Sequence, residues 1–92
     1  MERHRLQVVY SGHVQGVGFR YSVKALVRGF EVTGTIRNLL DGRVELQAEG
    51  VKDELKAFQQ AVRDSEVGGL ITREQVSWSG ATNEFRGFAI IG

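Results

Sequence analysis

Two apolar periodicities alternate along these 92 residues, and their order is what most restricts the fold. A strand shows apolar side chains at every second position, a helix at every third or fourth. Arg5–Ser11 alternates, with Leu6, Val8 and Tyr10 on one face. From Tyr21 to about Phe30 the pattern turns helical through Val23, Leu26, Val27 and Phe30. Glu31–Asn38 returns to alternation, with Val32 and Ile36 on one face, and Asp41-Gly42 is a hairpin signal. Arg43–Glu49 alternates strictly, with Val44, Leu46 and Ala48 set against Arg43, Glu45, Gln47 and Glu49. A second helix follows Gly50. Val51, Leu55, Phe58 and Val62 form its apolar stripe, a core-packing pattern, and Asp53 and Glu54 sit in its first turn, where acids suit the helix dipole. Gly68-Gly69 closes this unit. Glu74–Ser79 and Phe85–Ile91, parted by a turn at Gly80–Asn83, are the last two strands. The order is βαββαβ with a short extra C-terminal strand. It predicts an α+β, ferredoxin-like sandwich in which an antiparallel sheet carries two helices on one face, with a right-handed crossover between the first two strands. The length suits a single domain over residues 1–92.

Between the first strand and the first helix lies Ser11-Gly12-His13-Val14-Gln15-Gly16-Val17-Gly18-Phe19-Arg20-Tyr21. Glycines let the backbone take positive φ and turn successive N–H groups toward one point. Arg20 adds a planar, permanently charged fork suited to phosphate, and a helix N-terminus just beyond also favours an anion. Two readings are open from these residues. One is a cradle for a small anion held mostly by main-chain donors. The other is an inert turn beside a solvated arginine. The common nucleotide loops do not fit: Tyr21 stands where G-x-G-x-x-G needs its third glycine, and no G-x-x-x-x-G-K-[ST] occurs.

The net charge of +1 is unevenly placed. Residues 1–30 sum to +4 and residues 31–92 to −3, so the end with the glycine loop attracts small anions. A long nucleic acid calls for a broader basic surface. With no cysteine, neither a disulfide nor a thiolate metal site can form. His4 and His13 are the only histidines, and both read as surface residues rather than ligands. No apolar run reaches membrane-spanning length, and Met1-Glu2-Arg3-His4-Arg5 is not followed by a signal-type core. The expectation is a cytoplasmic monomer without membrane partner, metal or cofactor.

Two blocks of sequence carry a family resemblance. Gly12-His13-Val14-Gln15-Gly16-Val17-Gly18-Phe19-Arg20 closely resembles the acylphosphatase signature G-x-V-Q-G-V-x-F-R. Gly34-Thr35-Ile36-Arg37-Asn38-Leu39-Leu40-Asp41-Gly42-Arg43-Val44-Glu45 resembles that family's G-[WY]-V-x-N-x-x-D-G-x-V-E segment, at the family's usual separation. Weaker similarity continues through Ala48-Glu49-Gly50 and the following helix to Phe88-Ala89-Ile90, so it covers nearly the whole chain. The resemblance implies the same fold, a small acyl phosphate as substrate and inorganic phosphate as product. It also implies site residues. Arg20 matches the phosphate-binding arginine and Asn38 the asparagine that orients the attacking water. The amides of Gln15, Gly16, Val17, Gly18 and Phe19 match the phosphate cradle. On its own residues Asn38 reads more readily as a hairpin cap; the resemblance reverses that preference. The Val17 and Phe19 side chains are expected to anchor the loop by packing, and Gln15 is a candidate brace for it.

The chemistry agrees with the implied roles. An acyl phosphate already has a good carboxylate leaving group, so positioning and charge stabilisation are the main tasks left to the protein. A neutral amide such as that of Asn38 can both donate to and accept from one water. The chain departs from the family at Thr35, where a large aromatic is usual, and at Leu40, where proline is common. It departs again at Glu31 in place of glycine, and at Gly68-Gly69-Leu70-Ile71-Thr72-Arg73, which lacks the usual G-P-x-x-A. These bear on loop geometry and substrate access. Two rivals share the fold. One is a non-catalytic module that binds acyl or carbamoyl phosphate, as in the acylphosphatase-like domains of carbamoyltransferases. The other is an RNA-binding domain of RRM type, which needs stacking aromatics on a central strand where this chain has Val44, Glu45, Leu46 and Gln47.

Overall fold

A computed structural model describes residues 1–92. Its elements are β1 (Arg3–Gly12), α1 (Phe19–Leu26), β2 (Thr33–Asn38), β3 (Val44–Val51), α2 (Lys52–Asp64), β4 (Ile71–Gly80) and β5 (Phe88–Ile90). Short 3-10 turns, Val27–Gly29 and Glu66–Leu70, follow the two helices. The sheet order is β4-β1-β3-β2-β5. The first four strands pair antiparallel, as the pattern predicts. The extra strand β5 instead lies parallel to β2, which makes the whole sheet mixed. A ferredoxin-like α+β sandwich results.

Register explains which side is buried. Cross-strand rows Leu6–Ala48–Gly34, Val8–Leu46–Ile36 and Tyr10–Val44–Asn38 face the helices. They close a core with Phe19 and Val23 of α1 and Leu55, Phe58 and Val62 of α2, all fully buried or nearly so. Asn38 is therefore the one polar residue among these three rows, and it stands beside Val44 and Tyr10 rather than on the wet face. Boundaries moved where tertiary pairing overrode the local pattern. Helix α1 starts at Phe19, two residues earlier than expected, and draws Arg20 into its first turn. Strand β4 extends to Ile71–Gly80 because it follows β1 along nearly its whole length. Strand β5 shrinks to Phe88–Ile90, since the preceding residues cross the sheet instead of pairing with it.

That crossing segment docks on the open face through a buried carboxylate. Glu49 is fully buried. It accepts from Arg5 Nε at 2.7 Å, Thr82 N at 2.9 Å and Asn83 N at 2.8 Å. Burial alone would raise its pKa. The Thr82 N–H, the Arg5 guanidinium and the Asn83 N–H outweigh burial and bring it from 4.5 down to about 2. The folded state thus prefers the ionised form. Its contribution is complete above the unfolded value of 4.5 and is lost as pH falls toward about 2. The expected worth is on the order of 3 kcal/mol at neutral pH. Urea unfolding of Glu49→Gln should show a loss of that order at pH 7 and a flatter pH dependence between 4.5 and 2.5. A variant that keeps the wild-type acid profile would show that this carboxylate does not govern it. No helix of the fold is long and apolar enough to cross a membrane.

Candidate active site

Because β3 lies between β1 and β2 and pairs antiparallel with both, those two strands point the same way and finish at the same end of the sheet, one strand apart. The glycine loop leaves the end of β1, and Asn38 is the last residue of β2. Topology alone therefore brings the two sequence blocks to one edge of the sheet.

The loop is pinned from below. Val14 and Phe19 are each 1 % exposed, and the Phe19 ring meets Tyr10 edge-on with centroids 5.2 Å apart. Phe19 is thus the packing anchor expected. Val17 is not: it is 48 % exposed, and Val14 takes the second anchoring place. The physical reason is the helical start at Phe19, which turns the chain so that Val14 and Phe19 face the core while residues 16 to 18 bulge outward. Gly16 and Gly18 make this possible with φ of +74° and +79°, in the left-handed region costly for other residues.

The backbone N–H groups of residues 14 to 18 donate to no acceptor in the chain. Gly18 precedes α1 with a left-handed backbone and no side-chain cap, and the first turn holds no acid. The N-terminal dipole of α1 is thus uncompensated, and the donors around it are uncommitted. Arg20 is half-buried and forms no ion pair, unlike Arg5, Arg37, Arg43 and Arg63.

Gln15 joins the loop to the other block. Its Nε2 donates to the carbonyls of Leu39 at 2.8 Å and Arg43 at 2.9 Å. These carbonyls flank the β2–β3 hairpin, so one side chain ties the cradle to the residues next to Asn38. The hairpin closes without Asn38. Leu39 N donates to Arg43 O at 2.8 Å, and Arg43 N to Asp41 Oδ1 at 3.1 Å. The Arg43 N–H holds the Asp41 carboxyl below its ordinary range. Asn38 Oδ1 is buried with no partner, as is the Tyr10 hydroxyl. Burial pushes the Tyr10 phenol upward and Glu74 adds to the shift, so Tyr10 is neutral beneath the loop. No three His, Asp or Glu side chains gather closely enough to hold a metal ion.

Each residue named from sequence thus falls on this one edge. Gln15 is the brace expected, though its two carbonyl partners are not readable from the sequence, and Val14 as anchor and Tyr10 as floor carry no distinguishing signal there.

Comparison with known proteins places these features in a family. The family model described as acylphosphatase matches residues 6–90. The acylphosphatase of Salinibacter ruber is 38 % identical over 86 residues, which span 94 % of this chain and 90 % of that protein. The crystal structure of acylphosphatase from Bacillus subtilis superposes with a TM-score of 0.88 at 32 % identity, covering 97 % of this chain and 99 % of that one. Full-length HypF, solved in a phosphate- and nucleotide-bound form, shares the fold over 99 % of this chain and 12 % of its own, at 23 % identity and a TM-score of 0.84. On the match over residues 6–90 and the near full-length relatives, the chain belongs to the acylphosphatase family, enzymes that hydrolyse acyl phosphates.

Proposed function

We propose that this protein hydrolyses small acyl phosphates to a carboxylate and inorganic phosphate by direct attack of an oriented water, with no covalent intermediate, and that residues 1–92 are one domain built for this reaction. The observation that carries the reading is the Gln15 bridge, which holds an uncommitted cradle against an uncommitted amide.

The phosphoryl group sits in the loop, where the amides of Gln15, Gly16, Val17, Gly18 and Phe19 donate to its oxygens and Arg20 adds a forked, charged contact. Charge on those oxygens changes little in sign but shifts in distribution as the bond to the acyl oxygen loosens. Fixed donors need no rearrangement to follow it. Asn38 holds the water in line. The water oxygen bonds to phosphorus, the anhydride P–O bond breaks, the acyl oxygen leaves as carboxylate, and both water protons end on the inorganic phosphate. A carboxylate leaves readily without a general acid, so the reaction does not require one at this edge.

The test is turnover of acetyl phosphate by purified protein in the presence of a chelator. Steady hydrolysis with competitive inhibition by inorganic phosphate is expected, with kcat in the common enzyme range of roughly 1–10³ s⁻¹. Phosphate binding without turnover would favour the non-catalytic module. Activity that disappears in chelator and returns with a divalent cation would overturn the metal-free mechanism.

A further inference from the structure

The largest concavity does not lie over the glycine loop. It is an open groove of about 430 Å³ between α1 and the edge strand β5. Its lining is Tyr21, Lys24, Ala25, Val27, Arg28 and Phe88. Tyr21, Lys24 and Ala25 share one face of α1 at i, i+3, i+4 spacing, and Val27 and Arg28 continue the lining from the 3-10 turn that follows. The groove therefore starts one residue past Arg20 and runs along α1 into the Val27–Gly29 turn, away from the cradle.

Its chemistry is mixed in a particular way. Tyr21 is 69 % exposed, so a large aromatic ring is held in water beside Phe88. Lys24 and Arg28 form no ion pair with any carboxylate, and no Asp or Glu lines the groove. Like charges four residues apart work against a helix. The dipole at the end of α1 tolerates such cations, and Phe88 is held by the core, edge-on to Phe58, but neither accounts for the exposed Tyr21 ring on the same groove.

We propose that this groove receives the acyl part of the substrate, and that the preferred substrates are acyl phosphates whose acyl group carries a second carboxylate. The proposal rests on the acylphosphatase reading above. With the phosphoryl group beside Arg20, the acyl chain leaves the cradle past Tyr21 and its carbon atoms lie against Ala25, Val27 and Phe88. Its distal carboxylate meets the ammonium of Lys24, whose flexible stem adjusts to chain length, or the Arg28 guanidinium for a longer chain.

The experiment compares succinyl phosphate with butyryl phosphate, in wild type and in the Lys24→Gln/Arg28→Gln double variant, with acetyl phosphate as reference for the wild type. Wild type should favour succinyl over butyryl phosphate by roughly 5- to 20-fold in kcat/KM, mostly through KM, and the ratio should shrink in high salt. In the double variant the ratio should fall to about one, with an unchanged melting temperature showing that the fold is intact. A wild type active on acetyl phosphate but indifferent to the carboxylate would overturn the groove alone. So would a double variant that keeps the preference. A wild type inert toward all three substrates would overturn the acylphosphatase reading and the groove with it.

Discussion

Replacing Arg20 by glutamine is expected to lower kcat/KM by roughly 10²–10³-fold, because a preorganised, charge-assisted contact to a phosphoryl group is worth about 3–4 kcal/mol. Inorganic phosphate should bind at least tenfold more weakly at the same time, since the guanidinium touches ground state and transition state alike. What makes this a clean test is that Arg20 has no partner in the fold. It forms no ion pair, and the loop is held by Val14, Phe19 and Gln15 instead. The melting temperature should therefore hardly move. A folded Arg20→Gln protein with normal phosphate inhibition and turnover would remove Arg20 from the site.

Asn38→Ala should behave differently. We expect kcat to fall by roughly 10²–10³-fold while the inhibition constant for inorganic phosphate changes by less than about twofold. The amide is assigned to the water, so the ground-state complex survives its loss. The competing role is a hairpin cap. The hydrogen bonds of the β2–β3 turn run through Leu39, Asp41, Gly42 and Arg43 and leave the Asn38 amide out. A buried acceptor without a partner costs on the order of 1–3 kcal/mol. Its removal should thus leave the melting temperature level or raise it. Lower stability with near-normal kcat in the same preparation would assign Asn38 to the turn.

Most of the architecture was legible because its signals are local or periodic. Strict alternation in β3 identifies its buried face, and the stripe of α2 identifies its core side. The parallel placement of β5 was not legible, since three residues with a mixed pattern carry no direction. The start of α1 at Phe19 was not legible, since that ring packs on Tyr10 of β1, a contact the local helical pattern does not carry. At the site, residue types were readable and relations were not. Glycines, Arg20 and Asn38 stand out by chemistry and by resemblance. That Val14 rather than Val17 packs inward depends on a loop conformation that two left-handed glycines permit but do not dictate. The role of Gln15 depends on two carbonyls, 24 and 28 residues away along the chain, that a third strand brings within reach.

The Gln15 bridge also limits how far this loop can be transplanted. A nine-residue signature within an eleven-residue loop invites grafting onto another scaffold, as though it were a self-sufficient binding element. Here the loop borrows its shape from a hairpin it does not contain, and that hairpin is positioned by a strand between them. A peptide carrying residues 11–21 keeps the glycines and the arginine but loses the carbonyls that orient Gln15 and the Tyr10 ring under Phe19. Conformational entropy would then scatter the donors that the folded chain gathers. Whatever is moved must carry the β1–α1–β2–β3 segment with its hairpin and also Leu55, Phe58 and Val62 of α2, which close the core beneath those strands.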